Sequence, residues 1–215
     1  PADWSFVDGR SIRLRDGLVP QPGFLYEFHY DAIHPKVQGL GFAATRDVVS
    51  HLRHHPGGLA LTGRPMSHAL AIGISQAGRY LRDHIGQGFN RDEDGRRVFD
   101  GVLSHIAGVG RVFLNAPFAQ PARTCTQHED HDYPENAFPF SAARLTDPLT
   151  GQTGSLLRGD DSDPLLIEIN TSTEYWQKGA SLLHTDPLGQ HDAALPEGAR
   201  VYLIAGKLDF RDLVT

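Results

Sequence analysis

His68-Ala-Leu-Ala-Ile-Gly73-Ile-Ser75-Gln76-Ala77-Gly78-Arg79-Tyr80-Leu81-Arg82 is the stretch on which the fold turns. Ala69 to Ile74 is short and apolar, as a buried strand is. From Gln76 the pattern changes to that of a helix, ending near Gly86 and Gly88. Ser75 stands at the junction, with Gly73 two residues before it and Ala77 two after. The stretch predicts a strand–turn–helix with a serine between small residues, the nucleophile-elbow arrangement. Such a turn is too tight for large neighbours, which gives Gly73 and Ala77 a steric reason to be small. The serine hydroxyl would stand above the sheet edge. The first helical N–H groups, beginning at Gln76, would face the same space and could hold an oxyanion. A serine N-cap on an ordinary βα unit has the same pattern, so the motif alone does not separate the two.

Composition narrows the classes. At 215 residues the chain is expected to be a single domain over 1–215, long enough to bury a sizeable core. Hydrophobic residues make up 40% and charged residues 21%, as in an ordinary globular protein. The net charge of −6 and the lack of a Lys/Arg cluster argue against a nucleic-acid surface. No apolar run reaches membrane-spanning length. Cys125 is the single cysteine and leaves the redox compartment undetermined. A start at Pro1, without Met, points to a processed chain or a fragment.

Around the elbow the chain alternates strand and helix signals. Turn residues crowd positions 1–23, with a short edge strand expected from Ser11 to Leu14 and a strand from Phe24 to Tyr30. Phe42, Val48, Val49 and Leu52 lie at helical spacing from Phe42 to His54, with Arg46 and Asp47 facing out and Pro56-Gly57-Gly58 as the stop. Asn90 to Gly95 resembles the start of a calcium loop, but its twelfth position would be Gly101, where a bidentate Glu is needed. A solvated turn is the expectation there. Further strands are read from Phe99 to Ala107, Pro164 to Ile169 and Arg200 to Ala205. Tyr175 to Leu183 reads as a helix with Trp176 and Leu183 on its packing face. Residues 108–163 are irregular and proline-rich. An insertion this long between two core strands is expected to cover the serine as a lid and to be its most mobile wall. His128-Glu-Asp-His131-Asp132 within it is dense enough in ligand types to hold a metal. Its spacing matches no metal motif, and a hydrogen-bonded polar loop is expected, with no metal and no cofactor.

Alternating elements imply an α/β protein with a mostly parallel sheet and helices on both faces. In such sheets the working residues lie at the carboxyl ends of strands. Ser75 and Glu174 both fall at such ends, in the order nucleophile then acid. Glu174 would orient a histidine and stabilise its charged form. An N-terminal helix glutamate stabilised by the helix dipole explains the same residue without chemistry. Glu168, inside a strand, is the poorer candidate because the pleat fixes its direction.

Gly41-Phe-Ala-Ala-Thr-Arg-Asp, Gly73-Ile-Ser-Gln-Ala-Gly-Arg, Phe89-Asn, Phe99-Asp-Gly-Val, His128-Glu-Asp-His and Asn170-Thr-Ser-Thr-Glu-Tyr-Trp together resemble one family, a bacterial group of large α/β-hydrolase-domain proteins. The resemblance covers nearly the whole chain to Gly206. It implies a fold similar to esterases and lipases, with Ser75 as nucleophile, Glu174 as triad acid and the Gln76 N–H as an oxyanion donor. The substrate it implies is a small-molecule ester or acyl compound. Family chains are usually longer before the equivalent of Pro1, so this sequence resembles the carboxyl-terminal catalytic portion and is expected to be incomplete at both ends.

The resemblance breaks after the last strand. There the family carries Ala-Gly-Thr-Gln-His, whereas this chain has Ala205-Gly206-Lys207-Leu208-Asp209, so Asp209 stands where the catalytic histidine is expected. His184 and His191 follow Glu174 in the right order, and each would need the last loop repositioned. The leading expectation is therefore a serine hydrolase of the carboxylic-ester type, impaired by the missing histidine. The alternatives are a non-catalytic hydrolase-like domain binding a small apolar ligand or a partner, and a truncated pseudo-enzyme.

Overall fold

The computed structural model describes residues 3–24, 31, 33–55, 63–64, 66–118 and 136–206. Cys125, the His128–Asp132 cluster, Asp209, the Pro56-Gly57-Gly58 stop and all but Phe24 of the strand expected from Phe24 to Tyr30 lie outside the described residues. The chain divides into two compact units, Pro1–His34 and Pro35–Thr215. The first unit holds an antiparallel pair, β1 (Trp4–Phe6) and β2 (Ile12–Leu14), with Trp4 opposite Leu14.

The second unit carries the long helix α1 (Leu40–His54), then β3 (Leu70–Ile74), α2 (Gln76–Gly86) and β4 (Gly101–His105). A two-residue hairpin follows, β5 (Leu145–Thr146) against β6 (Thr153–Gly154). Then come β7 (Leu165–Thr171), α3 (Ser172–Gln177), a 3-10 turn over Ala180–Leu183 and β8 (Ala199–Ile204). Strands β3, β4, β7 and β8 form one sheet in that order, all parallel. The strand read over Phe99–Ala107 is shorter, because Phe99 is taken up by Asn90 and Ile106 turns out of the sheet at φ 48°.

Register sorts the strand residues into two faces. Ala71, Val102, Leu166 and Ala199 lie level on one, and Leu70, Gly101 and Leu165 on the other. The first face holds the core: Val102, Leu166 and Ala199 pack with Leu81 and Ile85 of α2, Val98, Phe99, Leu156 and Leu157, and Val49 of α1 joins them. A smaller cluster of Val109, Ala180 and Leu183 continues it beyond β7 and β8. Helices are expected on both sides, and among the described residues none covers the other face. Leu70 and Ile72 keep 74% and 71% of their surface exposed, and Leu165 and Tyr202 are exposed too. The cause is topological. Each step from β3 to β4 to β7 to β8 moves the same way across the sheet. Right-handed crossovers taken in one direction put every connection on the same side. Helices on the second side need a reversal of strand order, and the described strands contain none.

Three further expectations change with the packing. The helix read over Tyr175–Leu183 is α3 plus a separate 3-10 turn, broken at Gly179, whose φ of 62° and close approach to Val109 both require glycine. Trp176, placed on a packing face, is instead exposed. Leu183 is fully buried as read. The 90–95 turn is less solvated than expected. Asp92 is buried and accepts hydrogen bonds from Ser50, from the backbone of Asp94 and from Arg96. That carboxylate is also paired with Arg96 at 2.8 Å.

Candidate active site

Ser75 lies between β3 and α2 with φ 54° and ψ −116°. A serine N-cap sits in the extended region and turns its oxygen onto a helical N–H. Ser75 does neither: its side chain makes no cap hydrogen bond, and the residue is exposed. Its backbone N–H donates to the carbonyl of His105 at 2.8 Å, and its own carbonyl receives Arg79 N–H at 3.1 Å. The turn is thus tied to the end of β4 and to the first turn of α2. Gln76 opens α2, so its N–H lies outside the intrahelical ladder.

The tightness has named neighbours. A Cβ on Gly73 would stand 2.5 Å from the Ala77 carbonyl oxygen. A Cβ on Gly78 would stand 2.9 Å from both the Ala107 methyl and the Ser104 hydroxyl. Sequence reasoning identified Gly73 and Ala77. It missed Gly78, whose constraint comes from β4 and the turn after it. Three non-glycine residues near the site hold positive φ: Ser75, Ile106 at 48° and Phe113 at 47°. For Ile, branched at Cβ, this is a true outlier. Such strain gathers where function over-determines the backbone.

Glu174 lies at the other expected place, the carboxyl end of β7, two strands from Ser75 in the sheet. Neighbouring strands are about 4.8 Å apart, so the two turns stand roughly 10 Å apart across the sheet. Its carboxylate Oε2 receives the Thr171 N–H at 3.0 Å and the Thr171 hydroxyl. Glu174 therefore closes a capping box on its own helix. Among the described residues nothing joins Glu174, Ser75 and a histidine by hydrogen bonds. His184 stacks on Tyr175, ring centroids 5.8 Å apart, and lines a cleft with Asn170, Ala180, Val201 and Tyr202. Neither Gln76 nor Ala77 borders that cleft. His191 is exposed, its carbonyl receiving Asp186 N–H.

A different cleft, of about 360 Å³, opens at the first turn of α2, which follows Ser75, and is lined among the described residues by Gln76, Ala77, Tyr80, Val112 and Leu114. Val112 and Leu114 belong to the stretch expected to form a lid. Farther along that stretch Ala142, Ala143, Leu156 and Leu157 are buried, and Ser141 donates to the Leu183 carbonyl. That second part is built into the core.

Beneath the site two charged residues of α2 are wholly buried. Arg82 pairs with Glu168 of β7 and donates to the Phe140 carbonyl. Burial pushes the Glu168 carboxyl up, and Arg82 pulls it back. This explains Glu168 as a helix-to-sheet tie, in keeping with the strand-fixed direction read from sequence. Asp83 receives Arg111 Nε at 2.5 Å, Val112 N–H at 2.7 Å and Phe113 N–H at 3.2 Å. Sequence reasoning saw neither pair, since each joins segments far apart in the chain. His84, between them and the aromatic rings of Phe42, Tyr80, Phe89 and Phe99, is held neutral by burial, its pKa lowered to about 4.

Among the described residues no His, Cys, Asp and Glu side chains gather into a metal-binding group, and no helix is long and apolar enough to cross a membrane. A family model described as an alpha/beta hydrolase domain matches residues 22–208. No curated protein and no solved structure matches the chain.

Proposed function

We propose, because this chain belongs to the alpha/beta hydrolase domain family, that it is a serine hydrolase of the carboxylic-ester type with Ser75 as nucleophile. The observation that carries the reading is the backbone of Ser75, strained at φ 54° with its hydroxyl free of any capping bond. Strain that serves no cap is explained by presentation of the hydroxyl. In the acylation step Ser75 Oγ bonds to the ester carbonyl carbon. Its proton passes to a base, the C–O bond to the alcohol breaks, and the alkoxide leaves with a proton. The Gln76 N–H, at the positive end of α2, would hold the oxyanion.

Glu174 is the acid of this reading. Reaching a histidine would require its carboxylate to leave the Thr171 cap. The base is the weak point. Asp209 stands where the family places histidine, and a carboxylate takes the Ser75 proton poorly. Loss of one triad member costs on the order of 10⁴ to 10⁶ in kcat. Cleavage of p-nitrophenyl acetate by the purified chain is therefore expected near the detection limit, and lost altogether in Ser75→Ala. Brisk cleavage that disappears in Ser75→Ala would contradict the impairment, and His184→Ala would then test the remaining base. Cleavage that survives in Ser75→Ala would remove the serine.

A non-catalytic binding domain is the second reading. The capping role of Glu174 favours it, since that carboxylate is already committed to Thr171. Tight binding of an apolar ester without cleavage, and without labelling of Ser75, is its signature.

A further inference from the structure

The cleft beside Ser75 has a chemistry of its own. Among the described residues its lining is Gln76, Ala77, Tyr80, Val112 and Leu114, with no charged side chain among them. The one phenol does not serve the cleft as a donor. Tyr80 hydroxyl is bonded to Thr45 Oγ1 at 2.8 Å and to the Gly41 carbonyl at 2.9 Å, both on α1. Of the described residues, the Tyr80 ring, two aliphatic side chains, a methyl group and Gln76 line the space. The volume of about 360 Å³ is at the low end of small-molecule sites, which run about 300–1,000 Å³.

The far wall is held from the helix that begins at Ser75. Asp83 lies about two turns down α2. Its carboxylate is completely buried and receives three donors from one loop: the Arg111 guanidinium and the N–H groups of Val112 and Phe113. Phe113 is forced to φ 47°, and the Arg111 guanidinium lies 5.7 Å from its ring centre. Three bonds to one buried carboxylate fix a strained loop in place. That loop brings Val112 and Leu114 opposite Gln76 and Ala77. Nucleophile turn and cleft wall are thus referenced to one rigid element.

We infer that this cleft receives the apolar acyl chain of the substrate, that Leu114 and Val112 limit its length, and that Asp83 is a positioning residue that sets their place. The substrate class is an ester of a short, uncharged aliphatic or aryl carboxylic acid. The inference rests on Ser75 being the nucleophile.

The test is the kinetics of covalent labelling, which needs no turnover. Methyl, hexyl and dodecyl fluorophosphonates form a phosphorus–oxygen bond at Ser75 and release fluoride. For each probe the apparent binding constant KI and the limiting rate kinact are measured by intact mass, with the label mapped to its residue. The parent chain should favour the hexyl over the methyl and dodecyl probes. Leu114→Trp, which fills the cleft, should lower the hexyl-to-methyl ratio of kinact/KI by tenfold or more. Asp83→Asn should raise KI for the hexyl probe severalfold with kinact within about twofold, a split that general destabilisation does not produce. If Asp83→Asn does not fold, Leu114→Trp decides. Ser75 labelled with chain-length ratios that neither variant changes would overturn the acyl-pocket inference and leave the serine reading standing. No label on Ser75 with any probe would overturn both.

Discussion

The Ser75 side chain caps no helical N–H, and its backbone stands at φ 54°. Small-x-Ser-x-small describes a capping serine and an elbow alike. The difference lies in a dihedral angle and an absent bond, and neither is written in residue types. Glu174 shows the converse, because the residue expected as an acid is also a competent cap and is found capping. The glycines carry the first prediction. Gly73→Ala and Gly78→Ala each push a methyl group to 2.9 Å or less from an atom, backbone in the first case. Each should cost about 3 kcal/mol, the upper end of overpacking, read as a shift in urea midpoint at unchanged slope. Gly9→Ala, where no atom lies within 4 Å of the new methyl, should leave stability within about 0.5 kcal/mol and serves as the control. Gly73 was legible from the elbow pattern. Gly78 was not, because what crowds it, Ser104 and Ala107, comes from the neighbouring strand and the turn after it.

Among elements, α2 does three tasks. It begins directly after Ser75, it is tied to β7 through Arg82 and Glu168, and it fixes the 111–114 loop through Asp83. Its apolar periodicity was visible in the sequence, and so was its start. The charges were not placed, because helical spacing alone makes Arg82 and Asp83 look like a solvated face. Burial of that face comes from Phe140 and from the loop at Arg111, both distant in sequence. The break at Gly179 carried a visible signal, a glycine inside an apolar pattern, which the helix reading ran through. Removing one partner of a buried ion pair strands the other, at about 3–5 kcal/mol. Arg82→Met alone should therefore destabilise strongly. The double variant Arg82→Met/Glu168→Leu should recover most of that loss, because both charges then leave the interior together. Equal instability of single and double variants in chemical denaturation would show that the pair also holds something the double variant cannot replace, such as the Phe140 carbonyl.

Across the whole molecule, His84 and Asp92 carry acid-linked contributions to stability among the described residues. His84 is neutral in the fold, with its pKa lowered from 6.5 to about 4, first by burial and then by the Arg46 charge. The unfolded chain binds that proton at higher pH than the folded one. Stability is therefore complete above pH 6.5 and falls as pH drops through 6.5 toward about 4, by up to about 3 kcal/mol. Asp92 acts lower. Burial raises its pKa, but the hydrogen bonds from Ser50 and Arg96, with the Arg96 charge, outweigh this and leave it at about 2. Its contribution is present above about pH 3.8 and is lost as pH falls from there to about 2. Urea titrations across pH should show the first slope, and His84→Leu should flatten it between pH 6.5 and 4. An unchanged slope in His84→Leu would assign the proton elsewhere. At this scale the parallel sheet and its strand sequence were legible from alternating elements. That the described helices cover only one face was not. The sequence of β3 is apolar on both faces, so only the strand order reveals which face the crossovers cover.

The central claim is that Ser75 is a nucleophile held ready by strain. The most direct measurement is exposure of the purified chain to a fluorophosphonate for hours, followed by digestion and mass mapping of the modified peptide. The account predicts slow labelling at Ser75 alone, abolished by Ser75→Ala and by prior unfolding in urea. Absence of label on the folded chain, or label on any other serine, would contradict it.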